Sequence, residues 1–490
     1  MALTDNEIVE HAKDAVEQML QVYGPDRTFP FDAIWQFVPQ NIDIPSSRRS
    51  HQYRALIKQK YIERTGGMTK AVSEQRAGTV TTEYRFGDAL VKREKAEAAP
   101  AVSIGGESAS ELLQALQQAM ETEGYVISTA ELANFYLAMM ASPLVILSGI
   151  SGTGKSLLPR KFAKRTKSSF KSIAVQPQWS DNSDLFGYVP TLAPNAFVEG
   201  RLVASLLEAK GNPSKLVIAV LDEMNLAPVE HYFSDFLSIT ETRARRGGVI
   251  ETDALPIELP KAPLEGVDEF ARLREIALPH NLRVVGTANM DESTHSFSPK
   301  VLDRAFTIEF DDPDLTMFAS EATPSTSTFE SLASMIVNVE NAISIREASA
   351  ASQAAFETIA QLLADIQGIL SPAGIKFGYR TRDAILLYMH FWKELGISDI
   401  VTASAALDFC ILQKVLPKIA GSGDALADAL TKLQHWLEKR SDKSSPDTEA
   451  DSELGSTELR FTEPFMRSAK KVERMIAQLE SDGATHYWGT

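Results

Sequence analysis

The stretch that most constrains this chain is Gly149-Ile-Ser-Gly-Thr-Gly-Lys-Ser156, set directly after the apolar run Leu144-Val-Ile-Leu147. A glycine, four free positions and then Gly-Lys-Ser, following a buried strand, is the pattern of a loop that cradles phosphate. Successive backbone N–H groups line a concave nest, and the helix that follows turns its positive end to the same anion. Strand, loop and helix are thereby bound into one α/β unit. Gly149, Ser151, Gly152, Thr153, Gly154, Lys155, Ser156 and Leu157 are candidates for holding a nucleoside triphosphate. Lys155 would neutralise the β and γ phosphates, and the Ser156 hydroxyl would hold Mg²⁺.

The same region is uncharged from Leu132 to Gly154, long enough to suggest a membrane span. Pro143 divides it, however, into a helix over Glu131–Ser142 and a short strand running into the loop. A run that ends in a phosphate cradle reads as buried core. No signal-peptide pattern opens the chain, where Asp5, Glu7 and Glu10 come early. Cys410 is the single cysteine, so no internal disulfide or thiolate metal cluster is available. These features predict a soluble, cytoplasmic protein with no membrane contact. The net charge of −16 argues against a surface coated by nucleic acid throughout, while leaving room for a local basic patch.

The chain divides by pattern. Residues 1–95 read as a small α+β unit. One helix is expected from Asp5 to about Tyr23, a second near Phe31–Phe37 and a third from Ser47 to Lys60. Strands at Tyr61–Arg64 and Thr81–Phe86 then complete a winged-helix-like order. Between Pro45 and Arg76 eight Lys/Arg face two acids. Arg48, Arg49, Arg54, Lys58 and Arg64 are candidate phosphate contacts to DNA; a module that binds protein is the competing reading. Residues 96–108 form an Ala/Gly/Ser/Pro linker. Over 109–328 strands and helices alternate, with strands expected at Leu144–Leu147, Ser172–Val175, Leu216–Leu221, Leu282–Gly286 and Phe306–Phe310. Near-continuous apolar strands of this kind belong to a parallel sheet covered on both faces. Residues 329–490 read as a helical lid. It is all-α to about 438, carries an acidic Ser-rich loop near 441–458, and closes with a helix over Pro464–Leu479.

A phosphate loop needs a second strand bearing metal-side carboxylates. Lys215-Leu-Val-Ile-Ala-Val-Leu-Asp222-Glu223 supplies it: Asp222 for the Mg²⁺ shell, Glu223 to polarise the attacking water. The strand Leu282–Asn289 ends in an amide that can orient that water. Ser298-Pro-Lys-Val-Leu-Asp-Arg304 reads as a short helix with Ser298 as cap and Pro299 in its first turn. Arg304 is thereby placed at the domain edge, within reach of a neighbouring subunit's γ-phosphate. Glu208-Ala-Lys210 has two elements of a nuclease pattern but falls on a predicted helix and reads as coincidence.

Together with Trp179–Tyr188, Leu221–Val229, Gly286–Glu292 and Phe297–Ala305, the loop resembles the McrB-type AAA+ NTPases, relatives of MoxR and dynein-like ATPases. Phe377–Asp383 resembles the lid segment whose sensor arginine would be Arg380, and Leu407–Lys418 resembles the closing lid helix. The resemblance spans about 120–420. It implies a five-stranded parallel AAA+ core with a C-terminal helical lid, assembled into a ring, usually a hexamer. It also implies a McrC-like partner subunit carrying a nuclease or other effector. An acid, Glu292, stands where restriction-type members often have arginine. The base, ATP or GTP, stays open. The expected function is an NTPase motor of a McrBC-like defence system. A MoxR- or dynein-like protein-remodelling chaperone and a nucleotide-gated DNA-binding switch are the alternatives.

Overall fold

A computed structural model describes residues 107–488 apart from 247, 262–267, 269, 275, 291–293, 312–326, 440–460 and 462. Of the first 100 residues it describes 8–9, 11–13, 15–16, 28–38, 49, 52–58, 61–70 and 80–86. Arg48, most of the linker and the acidic loop near 441–458 lie outside the described residues. The chain forms two compact units, Met1–Pro100 and Ala101–Thr490.

In the first unit a three-stranded antiparallel sheet runs in the order Thr28–Pro30, Val80–Phe86, Ile62–Lys70. The expected hairpin is present, and its first strand is longer than the apolar pattern marked. The register breaks between Arg64 and Met68, where Gly66 and Gly67 sit. The helix expected at Phe31–Phe37 is a 3₁₀ helix over Phe31–Gln36, with Pro30 in extended conformation at its N-cap. Ala12, Val16, Phe29, Ile34, Leu56, Ile62, Tyr84 and Phe86 form the core of this unit.

The second unit is built on β1 (Leu144–Gly149), β2 (Ser169–Ala174), β3 (Val217–Asp222), β4 (Leu282–Asn289) and β5 (Phe306–Glu309). They form one five-stranded sheet in the order β5-β1-β4-β3-β2, every pairing parallel. β1, β3 and β4 are buried almost throughout. β2 lies at the edge, with Phe170–Ser172 partly open to solvent, which is why the apolar pattern showed only its second half. Helices α1 (Ala109–Glu121), α2 (Thr129–Ala141), α3 (Leu157–Arg165) and α4 (Val203–Gly211) accompany the sheet.

The uncharged stretch is core as far as the end of β1, while Ile150, Ser151 and Gly152 of the loop are exposed. Leu132–Ala141 of α2 are all buried, and Pro143 separates the helix from β1. A helix apolar all round needs cover all round. Its polar groups find partners: Tyr388 and Gln413 donate to Asn134 Oδ1 at 2.9 and 2.6 Å. Ser108, read as the end of the linker, is instead the N-cap of α1 in a reciprocal pair with Glu111, a capping box that offsets two orphan helix donors.

Beyond the sheet come α5 (Ile345–Leu370), α6 (Tyr379–Leu395), α7 (Ala403–Lys414), α8 (Asp424–Glu438) and α9 (Met466–Asp482). This region is not wholly helical. Ala420–Ser422 pairs antiparallel with Ala484–His486, a pairing between short segments far apart in sequence that no local pattern could announce. The last helix begins two residues later than expected and runs to Asp482, with Gly483 in the left-handed region ending it. Among the described residues no helix is long and apolar enough to cross a membrane.

Candidate nucleotide site

β1 delivers the loop from the middle of the sheet, and the backbone there excludes side chains. Gly149 and Gly154 have φ of 139° and 88°. A Cβ at 149 would lie 2.5 Å from the Phe310 carbonyl oxygen, and one at 154 would lie 2.9 Å from the Tyr125 ring. Both glycines are therefore required by conformation and by space. The loop is held by its own polar groups. Thr153 Oγ1 donates to the Ile150 carbonyl at 3.0 Å. Lys155 Nζ donates to the carbonyls of Gly149, at 2.9 Å, and Ile150. Burial pulls the Lys155 ammonium below its ordinary pKa, opposed by Asp311, Asp222 and Glu223. Ser151, Gly152, Ser156 and Leu157 are exposed along the loop and at the start of α3.

Parallel pairing then brings the other candidates alongside. β3 and β4 end side by side next to β1, so Asp222, Glu223 and Asn289 gather at the same sheet edge as the loop. Ser156 Oγ donates to Asp222 Oδ1 at 2.7 Å. Thr287 Oγ1 donates to the same oxygen at 2.7 Å and accepts the Glu223 N–H at 2.9 Å. Asn289 Nδ2 donates to Glu223 Oε1 at 3.2 Å. Glu223 itself is left-handed, with φ of 54°. A non-glycine residue there is strained, and the two flanking hydrogen bonds hold it. Asn225, fully buried, donates to the Asn289 carbonyl at 2.7 Å and fixes the end of β4.

Arg304 and Arg380 come together elsewhere. Arg304 follows the short helix Pro299–Leu302, where Pro299 takes the first turn as expected. Ser298 occupies the N-cap position, but its hydroxyl makes no capping bond. The Arg304 guanidinium donates to the carbonyls of Leu237, at 3.0 Å, and Lys300, at 2.7 Å, and pairs with Glu241. Arg380, at the start of α6, pairs with the same Glu241 at 2.8 Å and lies 3.8 Å from Asp303. Burial and the neighbouring Arg380 lower the Arg304 pKa. Glu241 carries no motif, and the stretches Phe297–Ala305 and Gly286–Glu292, which include Asp303 and Thr287, give neither of them a role. A hydroxyl one turn of pleat before Asn289 is the only signal that could have marked Thr287.

The donor set fits a magnesium nucleotide. One hydroxyl and one carboxylate suit an ion that keeps most of its waters and takes further oxygens from phosphate. Ser156 and Asp222 would hold it, and it would neutralise charge on the transferred phosphoryl group. Among the described residues no group of three or more His, Cys, Asp or Glu could hold a metal by itself. Cys410 is buried in α7.

A parallel sheet in this order, a phosphate loop after β1, paired acids at the end of β3 and an amide at the end of β4 between them define an AAA+ P-loop ATPase. Residues 144–305 match the AAA domain of the dynein-related subfamily, so the nucleotide-binding unit is of that type. Residues 333–484 match a domain of unknown function, DUF8727. A crystal structure from Cytophaga hutchinsonii named a "putative ATPase" is similar at 15% identity over 59% of this chain and 83% of its own, with a TM-score of 0.34. No curated protein matches the chain.

The basic residues of the first unit can also be placed. Arg54, Lys58 and Arg64 are exposed and, with Ile57 and Glu63, line one depression of about 600 Å³. Arg49 stands 5.9 Å from the Trp35 ring centre.

Proposed function

We propose that this ATPase is the motor of a ring in which Arg304 and Arg380 complete the site of a neighbouring copy, usually six per ring. Glu223 polarises water that Asn289 helps orient, Lys155 and the loop amides hold the phosphates, and ATP is the nucleotide. The observation that carries this reading is the shared Glu241. It gathers two arginines at one place, while the charged groups about the phosphate loop are Lys155, Asp311, Asp222 and Glu223. An arginine brought to the transferred phosphoryl group from another subunit stabilises charge that develops only in the transition state.

The likeness of the motif set to McrB-type motors supports a finer reading, in which ATP turnover drives a McrC-like partner bearing a nuclease or other effector in an anti-invader system. Residues 1–95 would then read the trigger. The clustering of Arg54, Lys58 and Arg64 favours nucleic acid for that role.

The test is subunit mixing. Arg304→Ala should bind ATP normally and lose about 10³-fold or more in turnover. Lys155→Ala should lose binding. Mixed together they should regain part of the activity, because a loop from one and an arginine from the other meet at mixed interfaces. Specific activity of the unmodified protein should rise with its concentration. Concentration-independent turnover with no rescue would refute the trans arrangement. A GTP preference in the same assay would correct the nucleotide.

A further inference from the structure

β5 leads into two carboxylates that the hydrolytic machinery does not use. Asp311 Oδ1 accepts the N–H of Ile150, the second residue of the phosphate loop, at 3.0 Å. The same oxygen lies 2.7 Å from where a Cβ at 149 would stand, so Asp311 closes tightly on the loop's entry. Two residues earlier, Glu309 is buried and accepts from Lys471 Nζ at 2.7 Å. Burial, with the neighbouring Asp311 carboxylate adding to it against the pull of Lys471, pushes the Glu309 carboxyl up to about 7.

Lys471 belongs to α9, in the region that matches a family of unknown function. Its ammonium sits 4.5 Å from the ring centre of Tyr487, a buried side chain whose hydroxyl pKa is raised by burial and by the nearby Glu309. A continuous chain of contacts therefore runs from α9 and Tyr487 through Glu309 and Asp311 to a loop amide. The Lys471 and Glu309 side chains are 4% and 11% exposed. An ion pair so enclosed resists loss of either partner, because the other is left as an unpaired buried charge.

We propose that Asp311 is a positioning residue for the phosphate loop, and that α9 sets it through Lys471 and Glu309, making the C-terminal region a control element for nucleotide affinity. The inference rests on the reading of 149–156 as the phosphate loop. Its physical basis is preorganisation. The loop amides hold phosphate in one conformation, and a pin at residue 150 restricts the loop to it before binding.

Equilibrium binding of a fluorescent ATP analogue with Mg²⁺ to the full chain tests this. Asp311→Ala removes the acceptor and should weaken binding about tenfold, the scale of one charge-assisted hydrogen bond. Asp311→Asn keeps an oxygen for the Ile150 N–H and should bind within about threefold of the unmodified protein, the difference a hydrogen bond largely kept allows. Lys471→Met should also weaken binding, and adding Glu309→Gln should restore it, since the amide bonds Asp311 without a buried charge. If Lys155→Ala binds normally, the phosphate-loop reading itself fails. If Lys155→Ala is weakened but Asp311→Ala binds normally, the pin alone is overturned, as it is if the Asn and Ala variants weaken equally. Should Asp311→Ala not fold, absence of rescue in the Lys471/Glu309 double variant overturns the proposal.

Discussion

Thr287 shows how much one hydroxyl can carry. It bridges the Asp222 carboxylate and the Glu223 N–H, the two acids with different tasks. Glu223 occupies a backbone conformation that costs about 1–3 kcal/mol for a side-chain-bearing residue, so its aim depends on that bridge and on Asn289. Glu223→Gln should retain nucleotide binding while hydrolysis falls at least about a hundredfold, as expected for a lost general base. Thr287→Val, nearly the same shape, should bind nucleotide much as before and lose turnover. Single-turnover measurements beside equilibrium binding separate the two effects. Near-normal turnover in Glu223→Gln would remove it from the role of base. The acids and Asn289 were legible because each ends an apolar strand. Thr287 was not, because a threonine within a strand is ordinary β composition.

Among the elements, α7 bears most directly on how the arginines are held. Lys414, fully buried at its end, donates to the carbonyls of Leu302 at 3.0 Å, Asp303 at 2.9 Å and Ala305 at 2.6 Å. Those carbonyls surround Arg304, so one lid cation braces the turn that presents it. Lys418 pairs with Asp303 beside it. Burial pulls the Lys414 pKa down to about 7, with Lys418 adding to the shift and Asp303 opposing it. In the unfolded chain the same amine titrates near 10.5. Between these values the unfolded state holds more proton, so stability should rise with pH from about 7 toward 10. Lys414→Met should flatten that slope and, above pH 7, lower stability by about 2 kcal/mol, because the neutral amine has two N–H donors to lose. Thermal melts across pH 6 to 10 check both statements; an unchanged slope would mean another group sets it.

At the scale of the whole molecule the two units pose separate questions. If Arg54, Lys58 and Arg64 meet nucleic-acid phosphates, affinity of the full chain for DNA should fall steeply with salt. Reversing Arg54 and Lys58 should lower the logarithmic salt slope by roughly one per contact and weaken all sequences alike. A chain that binds neither duplex nor single strand at low salt would shift the trigger to protein. Arg48, the remaining member of that basic set, lies outside the described residues.

By itself the sequence determined the α/β class, the strand that carries the loop, and the candidate residues Lys155, Ser156, Asp222, Glu223 and Asn289. The acids and the amide sit at ends of apolar strands, and Lys155 and Ser156 in the loop that follows one, where local pattern and parallel geometry coincide. Only the tertiary structure decided that Glu241 joins Arg304 to Arg380, that Lys414 braces the turn that carries Arg304, and that Asp311 reaches the loop while Lys471 anchors Glu309. Each of those contacts joins residues far apart in the chain, through groups whose type alone is common on any surface. For Lys414, and for Lys471 with Glu309, the meaning comes from burial, which removes water as the competing partner.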